Sequence, residues 1–166
     1  MITYTEKGAG LHEAISRAGH WLMQKDGVWV SSNDTAVQAI IDGYSVQDAK
    51  TYAITEVLKK AKGLRDAVVA SVSVGEMASW SIKAAEAAKY RATGDAAQCP
   101  MLNIEATARN ITLEALVTKV EGNSARLSAI EANIGGVDGR HRDNIAAMTS
   151  FEQICQYDYN AGWPGV

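Results

Sequence analysis

A chain of 166 residues that is 47% hydrophobic and 21% charged, with two prolines, has the size and apolar content of a folded domain and excludes a disordered composition. Its formal charge of -3 and its single short basic run, Lys59-Lys60-Ala61-Lys62, exclude a generic nucleic-acid binder, which needs a basic face; the run reads as a solvated helix face. Cys99 and Cys155 make neither a CxxC pair nor a disulfide framework, so both are expected as reduced thiols. No charged-then-apolar signal segment opens the chain, and no apolar stretch approaches the roughly 20 residues that cross a bilayer; the expectation is an intracellular protein without membrane insertion.

In chain order, Leu11, Ala14, Ile15 and Ala18 share one helical face, and Gly19 suits the end of that helix. Asp26-Gly27 then sits between two strand-favouring arms, His20 to Lys25 and Val28 onward, which predicts a β-hairpin. Trp21 and Met23 alternate on the first arm and Val28 and Val30 on the second, with Trp29 on the opposite face. Two strands alone are marginal in water, so the hairpin must pack on a helix or gain a partner chain. One reading clamps it to the local helix through Trp21 and Trp29; the other makes it a docking element. Asn33 or Asp34 caps a helix carrying Val37, Ile40 and Ile41. Asp42-Gly43-Tyr44 reads as a joint, which divides the chain into a small N-terminal module, residues 1–44, and a helical body, residues 45–166.

The body opens on Ser45-Val46-Gln47-Asp48, an approximate capping box, and a helix reaching Val68 or Val69. Its predicted stripe is Ala49, Tyr52, Ala53, Leu58, Ala61, Leu64 and Val68, with Glu56–Lys60 and Lys62–Asp66 as spaced ion pairs and Gly63 as a place to bend or stop. Ser73-Val74-Gly75-Glu76 starts a second long helix containing Trp80 as a core anchor and closing at Gly94. Pro100 fits the first turn of a third, which gives way near Asn110. From Thr112, the residues Leu113, Leu116, Val117, Val120, Leu127, Ile130 and Ile134 follow nearly heptad spacing, as an internal bundle seam or a coiled coil interrupted at Asn123-Ser124. Gly135, Gly136 and Gly139 predict a turn, His141–Met148 a short helix, and Ser150-Phe151-Glu152-Gln153 another capping box. The aromatic end, with Tyr157, Tyr159 and Trp163, is expected to pack back on the body or against another chain. The fold class is therefore mainly α, a multi-helix bundle with room for an elongated arrangement, carrying a small N-terminal α+β segment with a hairpin.

Reactive constellations are sparse. Gly8-Ala9-Gly10 lacks the preceding strand and following Lys-Ser/Thr of a phosphate loop. His12, His20 and His141 fall in separate elements, without zinc spacing. His141-Arg142-Asp143 lacks the companion motifs of a kinase catalytic loop and reads as a source of ion pairs. Glu76, Glu86, Lys83 and Lys89 read as helix-surface charges. No catalytic, metal or cofactor residue is assigned, and the expected chemistry is binding: Trp21, Met23, Trp29 and Val30 on the hairpin, and Tyr157, Tyr159 and Trp163 at the end, are the candidate protein-binding residues.

Several segments also resemble a known setting. Leu11-His12-Glu13-Ala14-Ile15, Gly19-His20-Trp21-Leu22, Asp26-Gly27-Val28-Trp29-Val30-Ser31-Ser32 and Val37-Gln38-Ala39-Ile40-Ile41-Asp42-Gly43-Tyr44 resemble the opening module of proteins found near tail-fibre genes of tailed bacteriophages. Leu64-Arg65-Asp66, the run Gly75-Glu76-Met77-Ala78-Ser79-Trp80-Ser81-Ile82-Lys83-Ala84-Ala85-Glu86-Ala87 and Gly139-Arg140-His141-Arg142-Asp143 resemble a helical region from the same phage and prophage setting. The resemblance implies a non-enzymatic tail-fibre-associated component or fibre assembly chaperone. Its implied partner is a phage tail or tail-fibre protein, with self-association as a further option, and without nucleic acid, membrane insertion or cofactor. It would reside in the host cytoplasm during assembly or in the virion tail. The alternative is a helical interaction or regulatory module of an unrelated assembly.

Overall fold

The computed structural model describes residues 2–165. It is mainly α-helical, with one two-stranded antiparallel hairpin near the N-terminus. The elements are α1 (Ala9–Arg17), β1 (Leu22–Lys25), β2 (Val28–Ser31), α2 (Asp34–Gly43), α3 (Val46–Val68), α4 (Val74–Thr93), a 3-10 turn (Ala96–Gln98), α5 (Pro100–Ala108), α6 (Leu113–Ala147) and α7 (Phe151–Gln156). Of the described residues, 2–63 and 135–163 form one compact unit, unit 1, and 64–134 and 164–165 another, unit 2. Residues 2–44 are thus accompanied in unit 1 by most of α3 and by the C-terminal stretch.

In unit 1, Leu11 and Ile15 of α1, Val37 and Ile41 of α2, Ala49, Ala53 and Val57 of α3, and Ile145 of α6 are buried together. The α3 stripe follows i, i+4 spacing from Ala49 through Ala53 and Val57 to Ala61, all buried. Leu58, expected on that stripe, is 47% exposed, because a helix that buries Val57 turns the next residue about 100° away. Tyr44, read as part of a joint, is buried in this core. Gly10 allows that arrangement: a Cβ there would stand 2.2 Å from the Tyr44 hydroxyl and 2.7 Å from Cγ of Tyr52. Lys7 donates to the carbonyls of Ile41 (2.6 Å) and Tyr44 (2.8 Å), closing the C-terminal end of α2.

The caps follow the sequence. Asn33 accepts from Ala36 N at 3.1 Å. Ser45 and Asp48 bond reciprocally: Asp48 N donates to Ser45 Oγ (3.2 Å) and Ser45 N to the Asp48 carboxylate (2.8 Å). Ser73 and Ser150 accept from Glu76 N (3.1 Å) and Gln153 N (3.3 Å). α3 runs through Gly63 without ending. Glu56 pairs with Lys59 at 2.6 Å, one residue short of the expected Lys60.

The expected turn at Gly135, Gly136 and Gly139 is absent, and His141–Met148 is not a separate helix. α6 continues through all three glycines for 35 residues. Each glycine costs about 1 kcal/mol of helix propensity. Burial of Asp138, His141 and Ile145 at helical spacing, and an Asp138–Arg142 pair at 2.9 Å, hold the helix together there.

Unit 2 packs Ala87 of α4, Cys99 just before α5, Leu102 and Ala106 of α5, and Leu116 and Val117 of α6 into its own core. Glu86, read from sequence as a surface charge, is buried. Its carboxylate accepts from the backbone N–H groups of Met101 (3.2 Å) and Leu102 (2.9 Å), and so caps α5 from a neighbouring helix. Pro100 at the first turn leaves fewer donors for Glu86 to satisfy.

Candidate functional site

The hairpin turn adopts positive φ at both central residues, Asp26 (51°) and Gly27 (80°), the conformation that matches a two-residue turn to the twist of its strands. The register pairs Leu22 with Ser31, Met23 with Val30, Gln24 with Trp29 and Lys25 with Val28. Side chains alternate across a strand, so Leu22 and Trp29 fall on one face and Met23, Val28 and Val30 on the other. Leu22 and Trp29 pack against the unit 1 core. Trp29 stacks on Tyr4 with ring centroids 4.0 Å apart. The opposite face has no such cover: Trp21, Met23 and Val28 are 51%, 53% and 50% exposed, and Val30 is half-buried. Of the two tryptophans expected as clamps, Trp29 alone acts as one. Trp21 instead joins Met23 and Val28 in an outward apolar patch. Backbone bonds hold Trp21 in line, with Ser32 N donating to its carbonyl at 3.1 Å.

The C-terminal candidates sit differently. Tyr157, Tyr159 and Trp163 are half-buried against the unit 1 core. His141 organises this end. Its Nε2 lies 3.0 Å from the Ala161 carbonyl, which only accepts, so Nε2 carries the proton. Nδ1 then accepts from the Tyr157 hydroxyl at 2.6 Å, and that oxygen accepts from Asn144 Nδ2 at 3.0 Å. The Trp163 ring stacks on the imidazole at 5.4 Å, and its indole N–H donates to the Tyr159 carbonyl. Every donor and acceptor of the imidazole is engaged in holding the chain end.

Cys155 is exposed, yet burial by its surroundings, with the Glu6 carboxylate adding to it, pushes its thiol pKa up. An activated nucleophile requires the reverse shift. Burial, then Glu6, likewise lifts the Tyr4 phenol to about 12. Among the described residues no group of three or more His, Cys, Asp or Glu is placed to hold a metal ion, and no helix is long and apolar enough to cross a membrane.

A concavity lies in unit 2, a cleft of about 1060 Å³. Trp80 and Ala84 of α4 and Val120, Leu127 and Ile130 of α6 line it, so Trp80 faces a cleft instead of anchoring a core. Ion pairs frame this unit. Lys83 meets Glu105 at 2.7 Å, and Glu105 also takes Arg109 at 2.8 Å, contacts that hold its carboxyl below the usual range. Arg91 binds both Glu114 and Glu121. The sequence carried the hairpin signal in Asp26-Gly27. It gave no sign of the Glu86 cap, since a carboxylate that caps another helix has no fixed spacing from it. Comparison with family models, with curated proteins and with solved structures returns no match.

Proposed function

We propose that this chain is a non-enzymatic accessory protein of a phage tail, a fibre-associated component or a fibre assembly chaperone, that acts by docking its hairpin on a tail or tail-fibre protein. The observation that carries the reading is the outward hairpin face. Three large apolar side chains, Trp21, Met23 and Val28, stand about half exposed on a scaffold fixed from behind by Trp29 on Tyr4. Tryptophan and methionine are favoured at the centres of interfaces and costly to leave in water. Among the described residues neither strand pairs with a third, so each has an edge that a partner's strand can extend. The segments around the hairpin are among those that resemble the phage opening module, and that resemblance supports a tail or tail-fibre protein as the partner.

The test is co-purification from cells assembling the phage particle. Trp21→Ser combined with Met23→Ser is expected to abolish capture of the tail protein and to leave circular dichroism and the thermal midpoint unchanged, because both side chains face solvent. Persistence of the chain in purified virions assigns a structural component, and its loss after assembly assigns a chaperone. Unchanged capture by the double variant removes the hairpin mechanism, and capture of a non-tail assembly selects the regulatory-module alternative.

A further inference from the structure

We infer that α6 is a parallel, in-register self-association helix, and that the occupant of the unit 2 cleft is the α6 of a second copy. Leu116, Val120, Asn123, Leu127, Ile130 and Ile134 follow one another at steps of four, three, four, three and four, the 3.5-residue repeat of a coiled-coil seam. The two ends of this seam, Leu116 and Ile134, are buried within the chain. Its middle is not: Val120, Leu127 and Ile130 are half-buried and line the cleft, and Asn123 is exposed there. From Val120 to Ile130 a helix rises ~15 Å, and a cylinder of that length and helical diameter fills roughly 1200 Å³. The cleft, at about 1060 Å³, is of that size.

Two features select a second copy over an unrelated helix. Asn123 occupies a seam position. Against an apolar residue its amide would be desolvated without a partner, whereas in parallel register it meets Asn123 of the other copy, donor to acceptor. The same heptad frame puts Arg126 at the flanking g position and Glu131 at the next e position, which face each other across parallel helices. Arg126 is exposed and has no acidic partner among the described residues. The Glu131 side chain is 54% exposed; it takes Arg65 of its own chain at 2.6 Å and, as a carboxylate, retains lone pairs for a second guanidinium. Lys119, at the preceding g position, faces uncharged Ser124. At its e and g positions the cleft stretch therefore brings no like charges together.

The inference does not rest on the hairpin, and its test keeps the two apart. In a Cys155→Ser background, Asn123→Cys is expected to form a disulfide-linked pair on mild oxidation, while Ala125→Cys, on the outer side of the helix, is not. Light scattering of the unaltered chain is expected to give a multiple of the monomer mass. Leu127→Asp reduces it to one copy with helicity retained by circular dichroism, and Arg126→Glu raises the dissociation constant by about threefold or more. Trp21→Ser leaves the mass unchanged. A monomer at the highest soluble concentration, equal cross-linking at positions 123 and 125, or dissociation caused by Trp21→Ser overturns it.

Discussion

Unit 1 buries Leu11, Ile15, Val37, Ile41 and Val57 and packs the rings of Tyr4, Trp29, Phe151, Tyr157 and Trp163 around them. Unit 2 buries smaller groups, Ala87, Cys99 and Ala106, beside Leu102, Leu116 and Val117, with Tyr90 at the edge. The difference teaches how each unit meets its surroundings. Large side chains fill the space between elements, so unit 1 leaves large apolar side chains about half exposed on the outward hairpin face and at Leu58 of α3. Small side chains cover less, so unit 2 leaves a cleft and is tied by charged contacts such as Lys83–Glu105 and Arg91–Glu114. The sharpest way to break this contrast is a matched pair of truncations. Leu11, fully buried, should lose about 2–5 kcal/mol as Leu11→Ala. Val72, half-buried beside the cleft, should lose less than about 1 kcal/mol as Val72→Ala. Denaturant unfolding measures both, and equal losses would show that the cleft is as tightly packed as the aromatic core.

The next effect separates buried from exposed charge within unit 2. Glu86→Ala strips two backbone donors of α5 of their acceptor, at a cost of about 1–3 kcal/mol. Arg91→Ala removes contacts to Glu114 and Glu121 at the surface and should matter less, with an effect that fades as salt rises. If the order were reversed, the ion pairs and not the helix cap would be organising the small-residue core.

Sequence pattern made legible what local chemistry controls. Asn33, Ser45, Ser73 and Ser150 all cap where expected, and Asp26-Gly27 turns the hairpin as expected. What it missed depended on partners distant in sequence. Glycines 135, 136 and 139 look like a break until Asp138, His141 and Ile145 are buried on one helical face. Leu58 and Val57 are equally apolar, and only packing selects Val57. For the candidate site, the alternation of Trp21 and Met23 against Trp29 was readable in the hairpin period. Which face would be covered was not, because the answer lay with Tyr4 and with the core.

The smallest effect at neutral pH tests how completely the unit 1 core excludes water. The Tyr44 hydroxyl is buried without a hydrogen-bond partner among the described residues. Tyr44→Phe should therefore change stability by less than about 1 kcal/mol, since it removes a polar group that satisfies nothing. Burial, with Asp48 nearby, raises this phenol from an ordinary value near 10 to about 12. For an acid whose folded pKa is raised, the unfolded chain loses its proton first. The contribution is complete below about pH 10 and drains away as pH rises toward 12. The unaltered chain should lose on the order of 2 kcal/mol across that window from this group, and Tyr44→Phe should be spared that share. Thermal melts of both proteins between pH 9 and 12 check this on the scale of the shift itself. Parallel alkaline losses in the two proteins would mean that water or another group reaches the hydroxyl, and that the aromatic core is less closed than its packing implies.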